Sequence, residues 1–128
     1  MEDILVIDDD QPILRLVDQV LTDHGYTVKT AENGIEGIRL FDQNRHFNLV
    51  ITDIRMPEAD GNQVAKYMKN NKQIKNTPII AISAYPDDAE KELFDSILEK
   101  PFSLKELIGT VESLYGKFSD STGHASIT

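Results

Sequence analysis

A chain of 128 residues, 40% hydrophobic and 27% charged, fits one ordinary globular domain, large enough to bury a core without disulfide or metal staples. It has no cysteine, which excludes disulfides and thiolate metal sites and makes a reducing compartment, the cytoplasm, the expected location. A net charge of -9 has the wrong sign for gripping nucleic acid or an anionic membrane by bulk electrostatics, and neither a signal peptide nor a membrane span is visible.

The first continuous apolar run, Ile4 to Ile7, has the pattern of a strand buried on both faces, and it closes on Asp8-Asp9-Asp10. Ile13, Leu16, Val17, Val20 and Leu21 then share one helical stripe, with Pro12 suited to an early helical position and Gly25 to a helix C-terminus. A second strand, Thr27 to Thr30, runs into Ala31-Glu32-Asn33-Gly34 and a helical stripe of Ile35, Ile38, Leu40 and Phe41. Leu49 to Thr52 is a third strand, closed by Asp53. Pro57 and Asp60-Gly61 mark a loop before a helix carrying Val64, Tyr67 and Met68. Ile79 to Ile82 is a fourth strand closed by Ser83, and the weaker Ile97-Leu98 a fifth closed by Lys100-Pro101. Ser103 and Glu106 have the spacing of a capping box for a last helix with Leu104, Leu107, Ile108, Val111 and Leu114. All these stripe residues read as core packing. From Gly116 the apolar pattern fades, so residues 1–115 are expected to form the domain and 116–128 a disordered tail or linker stump.

Strand and helix alternating in this way imply an α/β fold, a doubly wound parallel sheet with right-handed crossovers and helices on both faces. In such sheets ligands bind beyond the carboxyl ends of the strands, where strand order reverses. The residues found there are Asp8, Asp9 and Asp10, then Asp53, Ser83 and Lys100. Taken singly, Asp10 reads equally well as a helix cap, Asp53 as a turn residue, Ser83 as a strand-end hydroxyl and Lys100 as a solvated charge. Jointly, at the ends of successive strands, they describe a site. Two carboxylates about 5 Å apart repel by roughly 3 kcal/mol at an effective dielectric of about 20, so Asp8, Asp9 and Asp53 together call for a counter-charge. Mg2+ suits them, being a hard cation held by one or two carboxylates and a phosphate. With Mg2+ and Lys100 offsetting phosphate charge, one carboxylate can accept a phosphoryl group, and the isolated Asp53 is the nucleophile. His24, His46 and His124 lack ligand spacing and read as surface histidines.

Four segments, Ile4-Leu5-Val6-Ile7-Asp8-Asp9-Asp10, Leu49 to Pro57 with Asp60-Gly61, Pro78 to Ala84, and Lys100-Pro101-Phe102, together resemble the receiver domain of two-component response regulators. The resemblance runs from about Asp3 to Leu114. It implies five strands in the flavodoxin-like order 2-1-3-4-5, Asp53 as phosphoacceptor, Asp9 as the main Mg2+ ligand assisted by Asp8, and the main-chain carbonyl of Arg55 as a further ligand. Ser83 would hydrogen-bond the phosphoryl oxygens, Lys100 would pair with them, and Lys100-Pro101 would be a cis peptide. The implied phosphodonor is a phosphohistidine on a sensor histidine kinase or histidine phosphotransfer protein. The domain would not be an enzyme in the conventional sense, but would promote its own phosphorylation and dephosphorylation and switch its partner-binding surface. It would be a monomer or weak dimer, binding neither nucleic acid nor membrane, and either free-standing or the receiver fragment of a hybrid histidine kinase.

Two departures from the family pattern stand out. Residues 84–95 are the whole fourth crossover, near the minimum for a parallel connection, so a shortened, displaced or partly unwound helix is predicted there. Ile97 stands where relatives often carry an aromatic ring that swings inward, and reads as plain strand core. Arg55 and Tyr85 flank the implied phosphorylation pocket and are candidates for restricting water and tuning phosphate lifetime. The competing reading is a Mg2+-dependent aspartyl-phosphate hydrolase. Those enzymes carry a second Asp two positions after the nucleophile, and here that position is Arg55.

Overall fold

The computed structural model describes residues 4–43 and 45–121, so residues 122–128 of the predicted tail lie outside the described residues. Five strands, β1 (Ile4–Ile7), β2 (Val28–Ala31), β3 (Leu49–Asp53), β4 (Ile79–Ser83) and β5 (Ser96–Glu99), form one sheet in the order β2-β1-β3-β4-β5. All neighbouring pairs are parallel, in the order expected. Four helices, α1 (Gln11–Asp23), α2 (Gly34–Asp42), α3 (Gly61–Lys69) and α4 (Leu104–Ser121), complete the alternation.

Side-chain alternation along the strands divides the core in two. Ile4 and Val6 of β1, with Leu49, Ile51, Ile80 and Ile82, pack against Val17 and Leu21 of α1 and Leu107 and Val111 of α4. The intervening Leu5 and Ile7, with Val50 and Ile79, pack against Leu40 and Phe41 of α2 and Val64, Ala65 and Met68 of α3. A strand buried on both faces therefore needs apolar residues at every position, which is why these runs are unbroken. The α1 stripe is rotated from the sequence expectation: Leu14 is buried, whereas Leu16 is 44% exposed.

Helix starts follow from their caps. The Asp10 side chain accepts the N–H of Ile13, Asn33 accepts that of Glu36, and Asp60 with Gln63 forms a reciprocal capping box. Ser103 and Glu106 form the reciprocal pair predicted for α4, with bonds of 3.0 and 2.9 Å. Gly25 takes φ of 94° after α1, the left-handed conformation that ends helices at glycine. The expected boundary at residue 115 is passed by α4, whose backbone stays helical through Ser121. A glycine inside a helix costs only about 1 kcal/mol against alanine, so Gly116 is not enough to stop propagation.

Between β4 and β5, residues 84–95 contain no α-helix, only two 3-10 turns at Pro86–Asp88 and Lys91–Leu93. The shortened, displaced or partly unwound helix expected here is thus reduced further, to two single turns. Ala89 takes up the packing role of a helix face, closing a small cluster with Ile54 and Ala81 against which Phe94 and Ile97 lie.

The loop from β3 to α3 is drawn tightly under the sheet end, with the Gly61 N–H donating to the Ile54 carbonyl at 2.9 Å. A Cβ on Gly61 would lie 2.2 Å from the main-chain oxygen of Asp53. Gly61→Ala is therefore expected to lower stability by roughly 1–3 kcal/mol, the range of an overpacked core position, as read by urea denaturation. An unchanged midpoint would mean that the loop does not press on β3 in this way.

Candidate functional site

The sheet's reversal point lies between β1 and β3, and the chain delivers a carboxylate to the end of each. Asp8 follows β1 directly and is fully buried, Asp53 is the last residue of β3 and is 7% exposed, and Asp9 is exposed beside them. One carboxylate oxygen from each of Asp8, Asp9 and Asp53 lies within 4.8 Å of the other two. Lys100, just past β5, places its Nζ 3.4 Å from Asp8 Oδ2 and 3.4 Å from Asp53 Oδ2. The Lys100 N–H donates to the Ser83 carbonyl at 2.8 Å, which fixes its backbone; the Lys100-Pro101 peptide is cis, as the resemblance implied.

Each acid is oriented by local main chain. Asp8 Oδ1 accepts the N–H of Asp10 at 2.9 Å, and Asp53 Oδ1 accepts the N–H of Ile54 at 2.8 Å. In both residues this leaves Oδ2 for Lys100. Asp10 turns away to cap α1, so of its two readings from sequence the cap is the one realised. Ser83 is buried at the end of β4, and its Oγ accepts the N–H of Tyr85 at 2.9 Å.

Burial is the largest influence on Asp8 and disfavours its charged form. Together with neighbouring Asp53, it outweighs the Asp10 N–H and Lys100 and lifts the carboxyl from 3.8 to about 7. Burial also works to lower Lys100, but the facing carboxylates of Asp8 and Asp53 overcome it and hold the ammonium above its ordinary range. The cluster is thus an acidic cleft with one cation, short of positive charge when all its acids ionise. Three hard oxygen donors so arranged fit Mg2+ and offer nothing to a softer metal.

Arg55, two residues past Asp53, carries an exposed side chain that pairs with Asp88 of the first 3-10 turn and lies 3.8 Å above the Tyr85 ring. Arg55 and Tyr85, singled out separately in the sequence, are therefore in contact. Sequence reasoning missed Asn62 and Asp88. Buried Asn62 on α3 donates from Nδ2 to the Asp88 carbonyl at 2.8 Å and accepts the Glu90 N–H through Oδ1 at 2.8 Å. An amide in the first turn of a helix gives no sign in sequence of partners so far along the chain.

Comparisons with known proteins agree on one family. The model of the response regulator receiver domain matches residues 4–112. The chain is 34% identical to Protein PilG of Pseudomonas aeruginosa, over 91% of this chain and 89% of that one. It is 38% identical to the probable transcriptional regulator ycf27 of Cyanophora paradoxa, over 93% of this chain but only 50% of the relative, so it spans about half of that longer protein. Among solved structures, response regulator protein TrrA of Thermotoga maritima, in complex with Mg2+-BeF, is similar with a TM-score of 0.79 and 36% identity, covering 89% of this chain and 99% of that one. No helix among the described residues is long and apolar enough to cross a membrane.

The raised pKa of Asp8 has a consequence for stability. Unfolded, this carboxyl releases its proton near 3.8; folded, it holds it to about 7, so the metal-free protein loses stability as pH rises through that window. In the presence of a chelator, wild type is expected to fall behind Asp8→Asn by on the order of 1–3 kcal/mol between about pH 4 and pH 7, with Mg2+ reversing the loss. Parallel denaturation curves for the two proteins across this range would reveal a flat difference if Asp8 were not strained by its charge.

Proposed function

The chain belongs to the response regulator receiver family of two-component signalling, and on that premise we propose that it takes a phosphoryl group onto Asp53 from a phosphohistidine and changes its partner-binding surface in response. The observation that carries this reading is the convergence of Asp8, Asp9, Asp53 and Lys100 at one end of the sheet. In the transfer, a carboxylate oxygen of Asp53 forms a bond to phosphorus as the donor's N–P bond breaks, and the electron pair leaves with the imidazole nitrogen. The Ile54 N–H holds the carboxylate in a single orientation, so little ordering remains to be done at the moment of attack.

Negative charge builds on the phosphoryl oxygens during transfer, and Lys100 stands where it can neutralise part of it. Asp8, Asp9, Asp53 and the main-chain carbonyl of Arg55 would hold Mg2+, which supplies the remaining positive charge when bound. Ser83 would exchange its bond from the Tyr85 N–H for one to a phosphoryl oxygen, drawing in the loop after β4. Arg55 and Tyr85, which flank the pocket, would together shield the product and limit the approach of water. The donor would be a sensor histidine kinase or a histidine phosphotransfer protein, and the domain would promote its own phosphorylation and dephosphorylation without acting on a separate substrate. The basic residue at position 55, where a hydrolase needs an acid, argues against the aspartyl-phosphate hydrolase reading.

Incubation with acetyl phosphate and Mg2+, followed by intact mass measurement, should give a single labile phosphate adduct on wild type and none on Asp53→Asn or without Mg2+. In the same assay the adduct should decay faster in Arg55→Ala and Tyr85→Ala. An adduct that survives the Asp53→Asn substitution would refute Asp53 as acceptor, and unchanged decay in both other variants would remove the shield.

A further inference from the structure

Three side chains of different character, from α3 and from the loop that leaves β3, fasten the reduced crossover between β4 and β5. Asn62, buried on α3, bonds through both ends of its amide to the main chain at Asp88 and Glu90, each at 2.8 Å. Lys66, farther along α3, pairs with Glu90 at 3.0 Å. Arg55, on the loop that leaves β3, pairs with the Asp88 side chain. The Asn62 bonds satisfy two backbone groups in a segment without a helical ladder, and breaking them would strand buried polar atoms. The Arg55–Asp88 pair has side chains 60% and 36% exposed, and exposed pairs contribute at most roughly a fivefold factor to an equilibrium. It is the weaker fastening.

Arg55 is also closest in sequence to the proposed phosphoacceptor, two residues beyond Asp53. Its guanidinium covers the ring of Tyr85, whose N–H holds Ser83 Oγ. One cation thus links the loop that leaves β3 to the segment that leaves β4, and its present acidic partner is an exposed carboxylate. A phosphoryl group on Asp53 would bring up to two negative charges and three strong acceptor oxygens to the end of β3. A planar guanidinium binds such a group through two parallel bonds, with greater strength than one solvated carboxylate offers.

We propose that Arg55 is the release for the crossover: on phosphorylation it exchanges the Asp88 side chain for the phosphoryl group, and the turn Pro86–Asp88 loosens as far as the Asp88 carbonyl, which Asn62 keeps on α3 together with the following turn. The inference rests on the reading of Asp53 as phosphoacceptor and adds a specific output. The surface that changes is Tyr85 to Asp88, and the segment from Glu90 onward stays in place. The exposed Tyr85 loses its cation in the same event, so an aromatic ring and an unpaired acid are presented together. A receiver with a full helix in this crossover would move a long rigid element; here the short connection limits the change to a single turn.

Amide hydrogen exchange tests this at individual bonds. The first turn is reported by the N–H groups of Asp88 and Ala89, bonded to Tyr85 and Pro86, and the second by Leu93 and Phe94, bonded to Glu90 and Lys91. The measurement compares full-length wild type, Arg55→Ala and Asp88→Asn with and without beryllofluoride and Mg2+, with acetyl phosphate adducts checked by intact mass in parallel. Expected is a roughly two- to fivefold acceleration at Asp88 and Ala89 in wild type on adding beryllofluoride, with Leu93 and Phe94 unchanged. Both variants should exchange at the faster rate from the start and respond no further. If the adduct forms on wild type but Asp88 and Ala89 do not accelerate, or accelerate equally in Arg55→Ala, the release is overturned while the Asp53 reading stands. If no adduct forms, both are overturned.

Discussion

Two carboxylates buried side by side repel, and a chain that folds them together must surround them with compensation. Asp8 and Asp53 are in that position, at the ends of neighbouring parallel strands, and Lys100 is the cation that reaches both. The remaining architecture can be read as what this arrangement requires. Unbroken apolar runs anchor the strands to helices on both faces, so that their ends cannot drift apart. The Lys100 N–H bond to the Ser83 carbonyl places the lysine stem at the cleft. Gly61 lets the loop after β3 pass under Asp53, where a side chain would collide with it. Even so, one cation does not balance three acids, and burial, with Asp53 beside it, lifts Asp8 to about 7. A divalent ion would supply the missing positive charge.

The crossover between β4 and β5 shows how little is needed to keep such a site intact. Its twelve residues, 84–95, lack the length for a helix that packs and returns, yet Ser83 and Lys100 still stand at adjacent strand ends. Ala89 fills the space over Ile54 and Ala81, and Asn62 supplies the hydrogen bonds that a helix would have found within itself. Two fastenings of different strength thereby lie side by side in one short segment. The buried amide holds the main chain at Asp88 and Glu90, and an exposed ion pair holds the Asp88 side chain.

Much of this was legible in the residues because the signals are local. Each strand is a contiguous apolar run, and the polar residue that closes it marks the carboxyl end where ligands bind, so Asp8, Asp53, Ser83 and Lys100 could be named before any coordinates. The length of the fourth connection was a matter of counting. Three features were not legible, for separate reasons. In α1, Ile13-Leu14 and Leu16-Val17 are adjacent apolar pairs, so the stripe could be drawn through either member, and packing against the sheet chose Leu14. At Gly116 the composition changes but no strong breaker follows, and the α4 backbone continues through Ser121. Asn62 has partners 26 and 28 positions later, and no spacing rule links residues that far apart.

The proposed function requires a single juxtaposition, an acidic cleft that would hold a metal ion and also receive a phosphoryl group. The most direct measurement is a crystal structure of this chain grown with Mg2+ and beryllofluoride. It should contain the metal among the carboxylates of Asp8, Asp9 and Asp53, with the fluoroberyllate on Asp53 and Lys100 turned toward it. Metal bound elsewhere, or beryllofluoride on a carboxylate other than Asp53, would contradict the account.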